Sequence, residues 1–311
     1  MALSKENVLN LTEHISYIPF STNIGFVHIH GASSEDIYII DTVNDDLKMQ
    51  EIIDFIKTNF PCAVVKAVID THSHADHCGG NVILQKETGC EVWTSKGEAS
   101  LMEYPSVETM LIWGSAPFHD LCSKFLLAKP CNANRILSDG EIVDLGMGIS
   151  FQVVSLPGHY IDQIGILLTD SDGKKVFFLG DAVSGRNVIK RYWIQYLLDE
   201  TKSKASLMKL SEIKSDFYVP GHGDVVRNIE GLSELNLLAM LETEEMILDV
   251  LKTPKTMEEI LKEVTDRNKI RLGVFQYVLI GSTLRAYLTG LYEEKRITFA
   301  IEKNEMRWRA L

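Results

Sequence analysis

The chain has no apolar stretch near the roughly 18 residues a membrane-spanning helix needs, so no membrane span is expected. Its five cysteines, at positions 62, 78, 90, 122 and 131, are odd in number and form no CxxC pair. That pattern fits free thiols in a reducing cytoplasm better than a disulfide framework. Residues 1–20 contain Lys5, Glu6, Glu13 and His14 and no continuous apolar core, so no secretory leader is expected there. Internal repeats and low-complexity tracts are also missing. What remains is ordinary globular composition, with 45% hydrophobic and 24% charged residues, enough for a sizeable core. A length of 311 residues fits one large domain plus a small one.

Histidine is scarce, at 9 residues, yet three of them fall within Thr71-His72-Ser73-His74-Ala75-Asp76-His77. The preceding run, Ala63-Val64-Val65-Lys66-Ala67-Val68-Ile69-Asp70, reads as a buried strand bounded by Pro61. The cluster therefore sits where a strand gives way to a loop, a common place for active sites of layered folds. Neutral imidazole is the commonest metal ligand, and carboxylate oxygen suits the same divalent ions. His72 and His74 alternate by two, so extended backbone points both the same way. A solvated polar loop is the plain alternative, and the density of histidine argues against it. Cys78 follows directly and reads as a small buried residue rather than a reactive thiol.

Three further runs end the same way. Phe151-Gln152-Val153-Val154-Ser155-Leu156 leads to Pro157-Gly158-His159. Lys175-Val176-Phe177-Phe178-Leu179-Gly180 leads to Asp181, and Asp216-Phe217-Tyr218-Val219-Pro220-Gly221 leads to His222 and Gly223. Each apolar run delivers one ligand-type residue beside a glycine, which permits a tight turn and leaves room for an ion. One such exit alone is usually a turn or cap.

Together these residues resemble the metallo-β-lactamase superfamily. The resemblance rests on H-x-H-x-D-H at His72, His74, Asp76 and His77, followed by His159, Asp181 and His222 in order, and covers roughly residues 15–250. Asp41-Thr42, after Ile37-Tyr38-Ile39-Ile40, looks like the family's early strand-end aspartate. The resemblance implies an α+β fold, a four-layer αββα sandwich with the metal site along one edge. It implies that His72, His74 and His159 hold one divalent ion, that Asp76, His77 and His222 hold a second, and that Asp181 bridges them. Zinc is the expected metal, with iron or manganese as alternatives. Asp181, the lack of cysteine in any matching motif and the absence of a leader place the chain nearer the glyoxalase II, lactonase and nuclease branches than the exported β-lactamases. Glyoxalase II proper has C-terminal glutathione-binding residues that find no clear match here.

The periodicity predicts strands at 15–20, 25–30 and 37–41, with turn signals at Gly31 and Ser33-Ser34, and a helix over 46–60. A helix over 79–89, a strand over 91–95, four strands near 141–145, 150–156, 164–169 and 176–179, and helices over 201–214 and 229–251 follow. Residues 97–135, rich in aromatics and broken by Pro105, Pro117 and Pro130, read as a helical insertion near the active site. Arg186 or Lys190 can bind an anionic group of a substrate, and Trp193 can cover an apolar one; equally, these side chains can pack or face water. Tyr160, beside His159, is a further candidate for contact with substrate.

The catalytic domain is expected over 1–251 and a small winged-helix-like domain over 252–311. In that tail, helices are predicted at 256–265, 274–280 and 282–294, then two strands joined at Lys303-Asn304. It carries 12 Lys and Arg against 8 Asp and Glu, while the rest carries 19 against 35. Nucleic-acid binding needs clustered cations on one face, and the acidic body opposes it. A packing or homo-oligomer module, or a wall of the active-site cleft, serves the tail equally well.

The expected enzyme is a cytoplasmic, metal-dependent hydrolase of a small molecule. A metal-bridging hydroxide would cleave a thioester, ester or lactone, with Asp76 and Asp181 as catalytic carboxylates. Phosphodiester cleavage, with the tail contacting nucleic acid, is the second reading. An iron-dependent oxidoreductase or dioxygenase is the third.

Overall fold

The computed structural model describes residues 3–31 and 35–311; the expected turn at Ser33-Ser34 lies outside them. Strands β1 (Leu9–Asn10), β2 (Ile15–Pro19), β3 (Asn23–His30) and β4 (Glu35–Ile40) form an antiparallel meander. Helix α1 (Asp46–Asn59) begins at Asp45, whose carboxylate accepts from the backbone N–H groups of Leu47 and Lys48. It buries Met49, Ile52, Ile53, Phe55 and Ile56 on one face. The chain returns as β5 (Ala63–Ile69), runs through the short α2 (Ala75–Cys78) and α3 (Asn81–Thr88), and enters β6 (Glu91–Ser95). Helices α4 (Lys96–Glu103) and α5 (Ser106–Trp113) precede β7 (Arg135–Leu137). Strands β4 to β7 pair in parallel, completing a seven-stranded sheet in sequence order.

A second, five-stranded sheet contains β8 (Ile142–Gly146), β9 (Ile149–Ser155), β10 (Ile164–Thr169) and β11 (Lys175–Phe178). After α6 (Arg186–Arg191) and α7 (Glu200–Glu212), β12 (Phe217–Val219) joins β11 in parallel. Alternation along each strand decides the layering. On β4, Ile37 and Ile39 face α1, whereas Tyr38 and Ile40 meet Phe151, Val153, Ile166 and Phe178 of the second sheet. The second sheet's outer face, including Val154, Leu167 and Phe177, is covered by α7 and the C-terminal helices. The order is therefore helix, sheet, sheet, helix, the αββα arrangement. Each fully buried Ile, Leu or Phe stabilises it by about 1.5–3 kcal/mol.

The C-terminal part holds α8 (Glu230–Val250), α9 (Met257–Arg267), α10 (Val274–Glu293) and a hairpin of β13 (Ile297–Glu302) and β14 (Glu305–Ala310). Thr256 caps α9 with Glu259 reaching back, a capping box. Lys303 and Asn304 turn the hairpin at φ of 52° and 67°. Two expectations need correction. The helices predicted at 274–280 and 282–294 are one: Gly281 is buried inside α10, where a Cβ would stand 3.8 Å from Leu261 of α9. The helix runs through it unbroken, and a Cβ there would meet α9 only at ordinary van der Waals distance. The insertion at 97–135 is α-helical only in its first half, with a single 3-10 turn at His119–Leu121 beyond it, and its last residue already belongs to β7. Val264, Leu284 and Ile297 share one apolar core with Val154 and Phe177, so the last sixty residues pack directly on the body. Among the described residues, no helix is long and apolar enough to cross a membrane.

Candidate metal centre

The C-terminal ends of β4 and β5 open the site. Asp41 follows β4 in a left-handed conformation, φ 60°, which turns its carboxylate under the histidine loop. Its Oδ1 accepts from Thr71 N at 2.7 Å, and its Oδ2 accepts from Thr71 Oγ1 at 2.9 Å and from His77 Nδ1 at 2.9 Å. Thr71 Oγ1 is in turn 3.1 Å from His72 Nδ1. His159 Nδ1 donates to the Tyr196 carbonyl at 3.0 Å, and His222 Nδ1 donates to the Ser21 carbonyl at 2.6 Å. Each of these four imidazoles thus has its Nδ1 held, leaving Nε2 for the centre. Such outer contacts fix ring orientation and tautomer in metal sites. His74 is the exception. Its Nδ1 points inward, and its Nε2 lies 3.7 Å from Glu108 Oε1.

Seven side chains converge. His74 Nδ1 is 3.0 Å from both His72 Nε2 and His159 Nε2. Ligand nitrogens around a tetrahedral zinc, at about 2.0–2.1 Å from it, stand about 3.3 Å apart, so this trio is near the required spacing. His222 Nε2 is 3.3 Å from Asp76 Oδ2. Asp181 lies between the groups, with Oδ1 3.4 Å from His77 Nε2 and Oδ2 3.6 Å from His159 Nε2 and 3.4 Å from His222 Nε2. The ligand atoms of His72, His74 and His159, and those of Asp76, His77 and His222, form two sets each within 4.8 Å. These residues can hold divalent metal.

Two observations test that fit. His77 Nε2 and Asp181 Oδ1 are buried without a hydrogen-bond partner, which is costly unless an ion satisfies them. Gly221 leaves the space: a Cβ there would come 2.1 Å from Asp181 Oδ1 and 2.8 Å from His77 Cε1.

The electrostatics agree. Burial pulls His72 well below its ordinary pKa and His74 down to about 3, helped by neighbouring histidines, so both are neutral bases with free lone pairs. Burial also opposes charge on His77 and His222, but the carboxylates of Asp181 and its neighbours win. They raise His77 to about 10 and His222 to about 12. Burial similarly opposes ionisation of Asp76 and Asp181, yet the adjacent histidines hold both below the usual carboxylate range. The centre is arranged to favour positive charge, which a divalent cation can supply.

The other candidates fall differently. Tyr160 is 1% exposed, its ring 4.2 Å from the His74 ring and its hydroxyl buried without a partner, so it supports His74 from beneath. Arg186 is exposed at the start of α6, with Nη2 3.5 Å from the Gly231 carbonyl. No ion pair or hydrogen bond joins it to the centre among the described residues. Trp193 is half-buried. Cys78 is buried, and burial pushes its thiol well up, as expected of an inert residue.

Three supporting residues, Glu98, Gln163 and Glu108, escaped the sequence reading. Buried Glu98 accepts from Ser73 N at 2.9 Å, Ser73 Oγ at 2.7 Å and Asp162 N at 2.8 Å, tying the histidine loop to the loop after His159. Gln163 accepts from Asp181 N at 3.1 Å. Buried Glu108 faces His74, and the Tyr196 ring lies 5.5 Å from that of His74. A glutamate on a short helix has no sequence signal that separates it from a solvated one.

Comparison with known proteins places this geometry. The model of the metallo-beta-lactamase superfamily matches residues 17–222. A hydroxyacylglutathione hydrolase of Hyphomonas neptunium is 27% identical over 119 residues, 38% of this chain and 34% of that protein. The hydroxyacylglutathione hydrolase GloC of Haemophilus influenzae is 29% identical over 163 residues, 51% of this chain and 69% of its own. The match thus spans about a third of the first relative and about two-thirds of the second. A beta-lactamase domain protein of Burkholderia ambifaria superposes with a TM-score of 0.76 at 16% identity, covering 98% of this chain and 93% of that one. A metallo-beta-lactamase family protein of Thermus thermophilus gives 0.73 at 19% identity, covering 97% and 100%. These two share the fold across nearly the whole chain, and with the family match extending from β2 to His222, the chain belongs to the metallo-beta-lactamase superfamily.

Proposed function

We propose that this protein is a dinuclear metal-dependent hydrolase acting on a thioester, ester or lactone of a small metabolite. The observation that carries this reading is Asp181, whose carboxylate lies 3.6 Å from His159 of the first histidine group and 3.4 Å from both His77 and His222 of the second. In it, His72, His74 and His159 would hold one ion, Asp76, His77 and His222 would hold the other, and Asp181 would contact both. Ions bound there supply water activated to hydroxide near neutral pH and polarisation of the scissile carbonyl. The chain's own groups do the rest. Asp41, Thr71 and the carbonyls of Tyr196 and Ser21 keep the imidazoles in the tautomer that offers a lone pair inward. Asp76, at the more exposed side of the centre, would orient the attacking water or relay its proton besides holding an ion. Tyr160, Arg186 and Trp193 are the proposed substrate contacts, with Tyr160 nearest to His74. Zinc is the proposed metal.

The relatives named as hydroxyacylglutathione hydrolases favour a thioester, while the glutathione portion of such a substrate has no assigned contacts here. Phosphodiester cleavage gains no support from the tail. There Lys255, Arg267, Arg296 and Arg307 each pair with a carboxylate, at 2.9, 2.5, 2.5 and 2.7 Å, and Lys262 pairs with Asp266.

The test is elemental analysis of protein purified without added metal, followed by thioester, lactone and phosphodiester panels. Two zinc per chain bound at this centre, with turnover of an acyl substrate lost on chelation and restored by zinc, is the expected result. Iron with a visible absorption band and oxygen consumption, or turnover of phosphodiesters alone, refutes it.

A further inference from the structure

A second convergence of ligand-type side chains lies at the opposite end of the first sheet. His28 and His30 are two apart on β3 and share one face of the sheet. The β3–β4 register sets Glu35 directly opposite His30. His28 Nε2 is 2.7 Å and His30 Nδ1 3.3 Å from the same oxygen, Glu35 Oε1. One donor atom from each of the three lies within 4.8 Å of the others. His28 is anchored, with its ring 4.2 Å from that of Phe60 and 10% of its side chain exposed. His30 has 58% of its side chain exposed, which gives an ion a route in from solvent. From Glu35 to Asp41 the chain runs the length of β4, roughly 20 Å at the rise of an extended strand. The cluster therefore cannot share ligands with the centre at the other edge.

We propose that His28, His30 and Glu35 form a separate mononuclear site for a divalent cation of zinc-like chemistry. Two imidazoles and one carboxylate are a donor set that zinc accepts, with a water completing the fourth position on the His30 side. The function that follows is mechanical. The ion braces β3 against β4 at the end where the chain passes from one to the other, far from the reacting groups, and contributes to stability rather than to turnover. Backbone spacing supplies the design, since alternate residues on one strand and the cross-strand neighbour present three donors without any loop.

The test uses the full chain, stripped with chelator and dialysed against buffered zinc. Elemental analysis of the wild type is compared with a His28→Gln/His30→Gln double variant and with Glu35→Gln alone. Each variant is expected to retain one zinc fewer per chain, with circular dichroism unchanged and with the cobalt-substituted spectrum of the other centre intact. A His159→Ala variant, which alters only that other centre, should keep the zinc lost by the double variant, so failure of either site is read separately. Should the double variant not fold, Glu35→Gln, which preserves volume, decides alone. Equal zinc counts in the wild type and the folded variants overturn the proposal and leave Glu35 as an ion-pair partner of the histidines.

Discussion

Gly221→Ala is the sharpest perturbation of the metal centre because it adds one carbon and removes no ligand. The new Cβ would stand 2.1 Å from Asp181 Oδ1, 2.8 Å from His77 Cε1 and 3.1 Å from the Gly180 carbonyl carbon. Comfortable separation of such atoms is about 3.5 Å, so the Asp181 carboxylate must retreat by roughly 1.4 Å or the backbone must give. Ligand distances in metal sites hold to about 0.2 Å, and a misplacement near 1 Å can cost on the order of 100-fold in rate. Overpacking of this kind also destabilises by about 1–3 kcal/mol. The variant should therefore hold fewer ions per chain after equilibrium dialysis and lose about two orders of magnitude in kcat/KM on an acyl substrate. Gly173→Ala is the matched control. Its φ of +84° imposes backbone strain, but nothing lies within 4 Å of the added carbon. It should cost about 1–2 kcal/mol in stability and leave metal content unchanged. A folded Gly221→Ala protein with wild-type metal content and turnover would refute the reasoning.

Glu108→Ala removes the only carboxylate facing His74 Nε2 among the described residues, and should weaken metal binding by about 10–100-fold in chelator competition, with Glu108→Gln intermediate. Asp170 gives a pH signature away from the centre. Burial opposes its ionisation, but hydrogen bonds from Thr12, His14 and Ser171 outweigh that and lower it to about 2. Its folded pKa lies below the unfolded value near 3.9, so its stabilisation is complete above that pH and fades as pH falls through about 2. Asp170→Asn should thus cost on the order of 1–3 kcal/mol in chemical denaturation at pH 7, with the gap to wild type closing toward pH 2. Lys204 bridges the buried carboxylates of Glu200 and Glu244 between α7 and α8. Lys204→Met should destabilise by about 3–5 kcal/mol, measured by urea unfolding, and adding Glu200→Gln should recover part of that loss.

How far the sequence reaches follows from what each residue depends on. Strand-end ligands were legible because a strand, a glycine and a donor are adjacent in the chain, and the same local pattern recurs at His159, Asp181 and His222. Asp41, with no glycine beside it, was legible only through the family resemblance. Gly281 misled because a glycine before serine reads locally as a break, whereas the buried residues on either side of it carry α10 through. Glu98 and Glu108 were invisible because a glutamate on a helix is normally solvated, and only the folding of α4 and α5 over the histidine loop makes these two buried. The His28, His30 and Glu35 cluster is a middle case. The alternation of the two histidines is written in β3, but the carboxylate opposite depends on register, which the chain fixes through the burial of Ile37 and Ile39 on one face and Tyr38 and Ile40 on the other. A one-residue slip would send Glu35 to the other face and dissolve the cluster. The same alternation that builds the core therefore decides whether this peripheral site exists.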